Sequence, residues 1–327
     1  MNKFVPVLTM ALLSTQDFSN EPAPAPKIDT GRITVSGISA GGQMATQLHI
    51  AYSDLFSGVG IISSGPFGCA EGTLGTAMTR CMGEAQTPLP IADLADSIRN
   101  AAKENRVANP ENLADDPVWL FHGTLDTTVG ADVSDATEAL YAEFVPVSQI
   151  TYVNDVAAGH NFPTRGNGGE CTAMQAPFVG NCDYDAAGVI LQHMYAGMKT
   201  PSTEAVTELQ AVTLPGAASA GLGDTAYLFV PPACAEGSQA CALHLVLHGC
   251  AQSAVQVGTD FITQSGYLPW AEANDIVLAF PQVIPSEVNP YACWDWWGYT
   301  GEDYRWRNGK QMQVVTDWIK LLSATPD

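Results

Sequence analysis

Hydrophobic positions along the chain alternate between short continuous apolar runs and longer stretches with an apolar residue every three or four positions. Continuous runs rich in β-branched and aromatic residues are typical of buried strands, and the wider spacing is typical of helices. In the first half this pattern predicts strands at 33–36, 58–63, 118–121 and 149–153, helices through 44–51 and at 91–106, 132–144 and 184–198, and a loop over 65–90.

The second half continues the alternation. It predicts two antiparallel strands at 205–214 and 226–230, buried strands at 243–247 and 276–280, and a helix at 310–322. Strands that alternate with helices predict an α/β fold, with a mostly parallel central sheet and helices on both of its faces. Neither a repeat nor an interdomain linker is visible in the sequence, so residues 28–327 are expected to form a single domain.

The N-terminal segment has the pattern of an export signal. Lys3 precedes an apolar run from Phe4 to Leu13, which is long enough for a signal peptide and too short to span a membrane. We therefore expect a signal peptide over residues 1–14. Residues 15–27 contain the alternating run Pro22 to Pro26 and are predicted to be a linker.

The charge balance narrows the classes of partner. Lys and Arg number 13 against 34 Asp and Glu, a formal net charge of −21, while charged residues make up only 14% of the chain. Such a composition excludes a disordered polyelectrolyte, and its charge repels nucleic acid and anionic lipid. We expect no nucleic-acid partner, no stable membrane association and a monomer. The charge equally fits a simple contribution to solubility.

Eight cysteines indicate the compartment of the protein. They contain no C-x-x-C pair and no histidine at zinc-ligand spacing, so a disulfide framework in a secreted, extracellular protein is favoured over a metal site. Eight cysteines allow 105 connectivities, and the sequence does not choose among them. In sequence they fall as neighbours: Cys69 and Cys81, Cys171 and Cys182, Cys234 and Cys241, Cys250 and Cys293.

The candidate nucleophile is Ser39, in the segment Gly37-Ile38-Ser39-Ala40-Gly41 between a predicted strand and a predicted helix. G-x-S-x-G at this position is the pattern of a nucleophile elbow, a strained turn that projects the serine hydroxyl above the sheet edge. The glycines on either side let the neighbouring backbone pass closely. The start of the helix then directs its dipole at charge that develops on the substrate oxygen.

A serine nucleophile needs a base and an acid that orients the base. Asp126 follows the strand at 118–121, and His160 follows the strand at 149–153 in a loop that begins with Gly159. The chain order Ser, Asp, His is that of α/β-hydrolases. The sequence therefore predicts a catalytic triad of Ser39, Asp126 and His160.

The segment Leu247-His248-Gly249-Cys250 resembles the strand and loop that supply an oxyanion amide in α/β-hydrolases. There this segment precedes the serine, whereas here it follows the serine by about 210 residues. The second half thus supplies the first four strands of the usual fold and the first half the last four. We infer a circularly permuted α/β-hydrolase, with the backbone N–H groups of Ala40 and Cys250 as oxyanion donors.

With these segments, and with Gly123 to Gly130, Gly159 to Pro163 and Cys293 to Trp296, the chain resembles extracellular polyhydroxybutyrate depolymerases of the circularly permuted, fungal-type, single-domain branch. The resemblance spans roughly residues 28–327. It implies hydrolysis of short-chain poly(3-hydroxyalkanoates) by a serine triad without a cofactor. Tyr299 falls about where the family pattern places a tryptophan on the substrate crevice.

Six aromatic residues crowd the segment 294–306, and exposed aromatics bind apolar polymer surfaces. Tyr299, Trp294 and Trp306 are accordingly expected to contact a polyester polymer or oligomer. Two alternatives remain open. An esterase of the same fold could act on soluble esters, such as feruloyl or acetyl groups on plant polysaccharide or other short-chain carboxylic esters. A catalytically silent binding module could share the scaffold, although such modules usually lose the serine or the histidine.

Overall fold

A computed structural model describes residues 26–83, 88–202, 205, 207–237 and 239–324. The expected signal peptide over 1–14, and the linker over 15–27 apart from its last two residues, lie outside this description. In the described part, none of the helices has the length and apolar character needed to cross a membrane.

The strands and helices alternate along the chain as the hydrophobic pattern predicts. The strands are β1 Ile28–Ile38, β2 Val59–Ile62, β3 Val118–Phe121, β4 Ile150–Val153, β5 Phe162–Thr164, β6 Gly169–Glu170, β7 Val179–Asn181, β8 Gln210–Thr213, β9 Thr225–Phe229, β10 Cys241–Leu247 and β11 Ile276–Phe280. The helices are α1 Ala40–Ala51, α2 Leu74–Arg80, α3 Ile91–Lys103, α4 Ala131–Tyr141, α5 Ala186–Met194, α6 Pro232–Ala235, α7 Ala254–Val257, α8 Asp260–Gln264, α9 Tyr267–Ala273 and α10 Lys310–Ser323.

Eight strands form one twisted sheet in the order β4-β3-β2-β1-β10-β11-β9-β8. The strands from β4 to β11 pair in parallel, and β9 and β8 pair antiparallel at one end. From β8 inwards, the second half supplies the first four strands and the first half the last four. The sheet thus has the order that the inferred circular permutation requires, and the predicted α/β fold is confirmed.

Short elements were missed by the pattern. Helix α2 lies inside the segment predicted as a loop, and a small second sheet of β5, β7 and β6 follows the fourth strand. Each of these elements is at most seven residues long, too short for a periodic signal. Helices α6 to α9 were not predicted for the same reason.

The core fills both faces of the sheet. One face packs against α1, α3, α4 and α10 and the other against α5 and α9. Strands β2, β3, β10 and β11 are therefore entirely buried, and β1 is buried from Ile33 to Ile38. Four disulfides join each cysteine to its neighbour in sequence, at Cys69–Cys81, Cys171–Cys182, Cys234–Cys241 and Cys250–Cys293. Cys69–Cys81 and Cys234–Cys241 are buried within the core, and Cys241 begins strand β10.

Candidate active site

Ser39 occupies a strained turn between β1 and α1. Its backbone has φ 57° and ψ −122°, a combination that few non-glycine residues adopt. Its N–H donates to the carbonyl of Ile62 (2.9 Å), which fixes the turn at the carboxyl edge of the sheet. Helix α1 begins with the next residue, Ala40. The turn therefore has the nucleophile-elbow geometry predicted for G-x-S-x-G.

The two glycines of this motif are required by space. A Cβ at Gly37 would collide with the backbone of Gly41, and one at Gly41 would collide with the carbonyl oxygens of Leu247 and His248. The second collision involves β10 and the loop that follows it. The close approach of helix α1 to that loop thus depends on Gly41. This approach brings the two halves of the chain together at Ser39.

Asp126 and His160 form a buried hydrogen-bonded pair. Asp126 Oδ2 lies 2.8 Å from His160 Nδ1, and Asp126 Oδ1 accepts from the backbone N–H groups of Thr128 (2.9 Å) and Val129 (3.1 Å). Burial works to raise the pKa of the Asp126 carboxyl. The hydrogen bond and charge of His160, together with the Val129 amide, outweigh it and hold that pKa below its usual value.

The loops that carry this pair are held together by backbone contacts. The N–H groups of Thr124 and Leu125 donate to the carbonyls of Val156 and Ala158. A Cβ at Gly123 would collide with Ala158, so the approach of the two loops needs a glycine there. Both loops leave the same carboxyl edge of the sheet as Ser39, since β1, β2, β3 and β4 are consecutive parallel neighbours.

Ser39 and His160 are not joined by a direct hydrogen bond in this structure. Ser39 Oγ has no hydrogen-bond partner among the described residues. Catalytic hydrogen bonds are often long before substrate binds and tighten in the complex. The structure thus links Asp126 and His160 directly, and brings Ser39 to the same sheet edge.

The loop after β10 reaches the nucleophile. Gly249 packs against Ser39, because a Cβ placed on Gly249 would lie 3.4 Å from Ser39 Cβ. Within the described residues, the backbone N–H groups of Ala40 and Cys250 donate to no protein acceptor. Both residues line the same cavity as Ser39. These are the two amides that the sequence predicts as oxyanion donors.

Two buried side chains fix this loop. The N–H of Val283 donates to His248 Nε2 (3.1 Å), so the proton of the neutral ring lies on Nδ1, which donates to the carbonyl of Gly249 (2.7 Å). Burial lowers the pKa of His248 to about 4, which keeps the ring neutral near pH 7. Gln252 holds the other side of Gly249 by accepting from its N–H (2.6 Å).

A cavity of about 420 Å³ opens beside Ser39, and none of the described residues that line it is charged. Its outer rim consists of Leu74, Met78, Val288 and Tyr291, whose side chains are 53% to 66% exposed. Large exposed apolar side chains concentrated at one opening mark a surface for an apolar ligand. The cavity is also lined by Gln43, Ser64, Gly65, Cys81, Met82, Val129, Asn289, Pro290, Cys293, Trp296 and Trp297.

The three predicted substrate contacts, Trp294, Tyr299 and Trp306, lie outside the lining of this cavity. Trp294 is completely buried against the ring of His248, and Trp306 packs on Phe67. Tyr299 turns its hydroxyl inwards to the carbonyl of Cys293 (2.8 Å). None of these three lines the cavity, whereas their neighbours Trp296 and Trp297 do. Aromatic density therefore points to a segment that lines the cavity, but the sequence does not tell which of its rings face the cavity.

Asp295 organises this aromatic segment. Its buried carboxylate accepts hydrogen bonds from the backbone N–H groups of residues 297–300 and from the hydroxyl of Thr300 (2.6 Å). Burial raises the pKa of Asp295, and the hydrogen bonds of Thr300, Gly298 and Tyr299 oppose that rise. The loop that carries Trp296 and Trp297 is thus wound around one side chain.

The apolar rim was missed in the sequence. Leu74 and Met78 come from helix α2, within the predicted loop, and Val288 and Tyr291 come from an irregular segment before Cys293. The available signal was the spacing of four between Leu74 and Met78, which places both on one face of a short helix.

Comparison with known proteins agrees with these features. A poly(3-hydroxybutyrate) depolymerase of Delftia acidovorans is 37% identical over 311 residues, which cover 92% of this chain. The matched part is 61% of that longer relative. A polyhydroxybutyrate depolymerase of Talaromyces funiculosus is 32% identical over 337 residues, which cover 97% of each chain. No protein-family model matches the sequence.

Solved structures give the same result. The crystal structure of a PHB depolymerase from Penicillium funiculosum has a TM-score of 0.87 and 31% identity, over 94% of this chain and 100% of that one. A serine-to-alanine variant of a PHB depolymerase, complexed with an R3HB trimer, has the same TM-score at 30% identity and the same coverage. The likeness thus extends over nearly the whole chain.

Proposed function

This chain belongs to the polyhydroxybutyrate depolymerase family, and from that premise we propose that it is a serine esterase that hydrolyses the ester bonds of poly(3-hydroxybutyrate)-type polyesters. The observation that carries the proposal is the uncharged, apolar-rimmed cavity that opens on Ser39. An aliphatic polyester offers methyl and methylene groups to such a rim and an ester carbonyl to the serine. The relatives named above are depolymerases of the same polymer.

In the proposed first step, Ser39 Oγ attacks the ester carbonyl carbon while His160 Nε2 takes the serine proton. The negative charge that develops on the carbonyl oxygen is stabilised by the amides of Ala40 and Cys250, each typically worth about 3 kcal/mol in the transition state. Asp126 keeps the proton of His160 on Nδ1 and stabilises the imidazolium. This role is supported by its 2.8 Å hydrogen bond to that atom.

The tetrahedral intermediate collapses when His160 returns the proton to the alkoxide oxygen of the leaving chain, which departs as an alcohol. An acyl ester on Ser39 remains. Water then attacks this ester, with His160 again as the base, and the second collapse releases the carboxylic acid and restores the serine hydroxyl. Every proton is accounted for by the histidine and the water, so the scheme calls on no cofactor.

We further propose that the enzyme is secreted. Four disulfides join its eight cysteines, and such bridges persist in oxidising compartments. Polyester granules or films outside the cell would then be its substrate, reached through the exposed rim of Leu74, Met78, Val288 and Tyr291.

The test compares substrates on one purified enzyme. Clearing of a turbid poly(3-hydroxybutyrate) suspension, with release of 3-hydroxybutyrate or its oligomers, is the expected result. The alternative of a feruloyl or acetyl esterase predicts release of those groups from plant polysaccharide and an unchanged polymer suspension. An enzyme that cleaves p-nitrophenyl butyrate but clears no polymer would contradict the polyester assignment while leaving the esterase intact.

A further inference from the structure

Gln252 is a buried side chain that joins two loops of the active site. Only 2% of the residue is exposed, and its amide makes three hydrogen bonds, all with backbone. Its Oε1 accepts from the N–H of Gly249 (2.6 Å), and its Nε2 donates to the carbonyls of Pro177 (2.8 Å) and Phe178 (3.0 Å). Sequence analysis gave it no role, and the chemistry proposed above does not use it.

The contact with Gly249 determines where the next amide points. With the Gly249 N–H held by Gln252 and its carbonyl held by His248, the residue cannot rotate about its own backbone bonds without breaking one of these contacts. A trans peptide directs the N–H of Cys250 opposite to the Gly249 carbonyl. The direction of the proposed oxyanion donor therefore follows from these two side chains.

The other end of Gln252 reaches the segment next to the proposed base. Phe178, whose carbonyl accepts from Gln252, also accepts from the N–H of Phe162 (2.8 Å), two residues beyond His160. Phe178 has a φ of 52°, which is uncommon for a non-glycine residue and shows that the surroundings dictate its conformation. One amide side chain thus connects the Cys250 loop from the far half of the chain to the His160 loop from the near half.

We propose that Gln252 is a positioning residue that sets the Cys250 amide against the Ser39–His160 pair, and that its contribution is made in the transition state. The inference rests on the proposed esterase function and deepens it. Charge at the carbonyl oxygen develops fully only during reaction, so a displaced amide slows the chemical step and leaves ground-state binding largely intact.

The chain offers a matched control in Gln282. This glutamine is 5% exposed and makes the same three kinds of contact: Oε1 accepts from the N–H of Ala254 (2.8 Å), and Nε2 donates to the carbonyls of Phe280 and Pro281 (both 3.1 Å). Its partners are not the backbone of Gly249 or of the His160 loop. Gln282→Ala therefore removes an equivalent buried network without releasing the peptide that precedes Cys250.

The experiment measures kcat and KM for p-nitrophenyl butyrate in wild type, Gln252→Ala and Gln282→Ala, alongside their melting temperatures. For Gln252→Ala we expect kcat to fall about 10- to 100-fold with KM within about twofold. For Gln282→Ala we expect a similar loss of melting temperature with kcat within about twofold of wild type. Equal kcat in the two variants, or a Gln252→Ala loss that is confined to KM, would overturn the proposal.

A second variant covers the case in which Gln252→Ala does not fold. Gln252→Glu keeps the shape and can still accept from Gly249, but its carboxylate faces the carbonyls of Pro177 and Phe178 while ionised. Its kcat relative to wild type should rise as the pH falls and the carboxyl becomes a donor. A ratio that is flat with pH would count against the proposal.

Labelling of Ser39 by a phosphonate separates this inference from the proposed function, because that reaction develops the same oxyanion without any ester substrate. Wild type that labels at Ser39 but hydrolyses no ester would contradict the function alone. A slower labelling rate in Gln252→Ala than in Gln282→Ala would still support the positioning role, and equal rates would overturn it.

Discussion

The two walls of the cavity are built in opposite ways. The proposed catalytic wall is lined by Ser39, Ala40 and Cys250. Outside the lining, Asp126, His248 and Gln252 are buried, and each is hydrogen-bonded to backbone groups of the site. On the apolar wall, Leu74 and Met78 project from a seven-residue helix and are more than half exposed. The catalytic wall is held in place by buried hydrogen bonds. The apolar wall consists of exposed side chains that few directional contacts hold.

This difference assigns separate tasks to the walls. A buried polar group that loses its partner costs about 1–3 kcal/mol, so the catalytic wall tolerates little change and holds one geometry. Exposed apolar side chains contribute little to folding and can follow an irregular polymer surface. Substitutions on the first wall should therefore lower kcat on every ester, whereas those on the second should affect the insoluble polymer selectively.

The largest effect is expected from Ser39→Ala. It removes the attacking oxygen, so kcat should fall by about 10⁶-fold on soluble ester and polymer alike. The Ser39 side chain makes no hydrogen bond to any of the described residues, so the melting temperature should stay close to that of wild type. Hydrolysis of p-nitrophenyl butyrate measures the loss, and residual activity within about a hundredfold of wild type would disprove the role of Ser39.

Asp126→Asn should come next, with a loss of about 10⁴-fold in kcat. The amides of Thr128 and Val129 require an acceptor at Oδ1, so the new NH₂ group must face His160 Nδ1. That contact places the imidazole proton on Nε2, so Nε2 can no longer accept a proton from Ser39. Asp135→Asn on helix α4 serves as the control and should retain wild-type kcat. Among the hydrogen bonds of the described residues, the Asp135 carboxylate accepts only from the Tyr152 hydroxyl.

The apolar wall is tested by the double substitution Leu74→Ser with Met78→Ser. Polymer clearing should fall about tenfold, because two large apolar side chains are removed from the rim, while kcat and KM on p-nitrophenyl butyrate stay within about twofold. Val147→Ser is the matched control, since Val147 is 72% exposed but does not line the cavity. Equal losses on soluble and insoluble substrate would contradict the division between the walls.

Acid should affect stability through the buried histidines. Burial lowers the pKa of His244 to about 3 and that of His248 to about 4, against about 6.5 in an unfolded chain. Between pH 6.5 and 4 the unfolded state therefore binds more protons than the folded state. The free energy of unfolding should fall by about 1.4 kcal/mol per pH unit for each histidine as the pH drops.

Urea denaturation at pH 7, 6 and 5 measures this slope. His248→Asn should remove one histidine's contribution to the pH dependence of the unfolding free energy. The asparagine amide keeps a hydrogen-bond donor near the Gly249 carbonyl. At still lower pH the depressed pKa of Asp126 adds to the loss, since its stabilisation exists above the unfolded pKa and disappears as the pH falls through the folded one. Stability that is independent of pH from 7 to 5 would contradict the neutral, buried state of both histidines.

The sequence predicts the catalytic wall far better than the apolar one. Ser39, Asp126 and His160 each follow a parallel strand of the sheet, and the carboxyl ends of parallel strands meet at one edge, so their shared location follows from the order of elements. The oxyanion role of the loop after β10 could be predicted only from the resemblance of β10 to a strand that normally precedes the serine. The observed position of β10 beside β1 agrees with that inference.

The apolar wall depends on details that periodicity does not carry. Trp294 and Trp296 are two residues apart in an irregular loop, yet the first is buried behind the cavity and the second lines it. The path of the loop around the Asp295 carboxylate determines which ring faces the cavity and which faces the core. Gln252 likewise carries no sequence signal, because two of its three partners are backbone carbonyls more than 70 residues away.

The central claim is that Ser39 becomes acylated at this site, and covalent labelling tests it most directly. Incubation with a p-nitrophenyl alkylphosphonate should add one phosphonyl group per chain, located by peptide mass spectrometry on Ser39. Polymer clearing and soluble-ester hydrolysis should disappear at the rate of labelling. A label on another residue, or full modification of Ser39 with polymer clearing retained, would contradict the account.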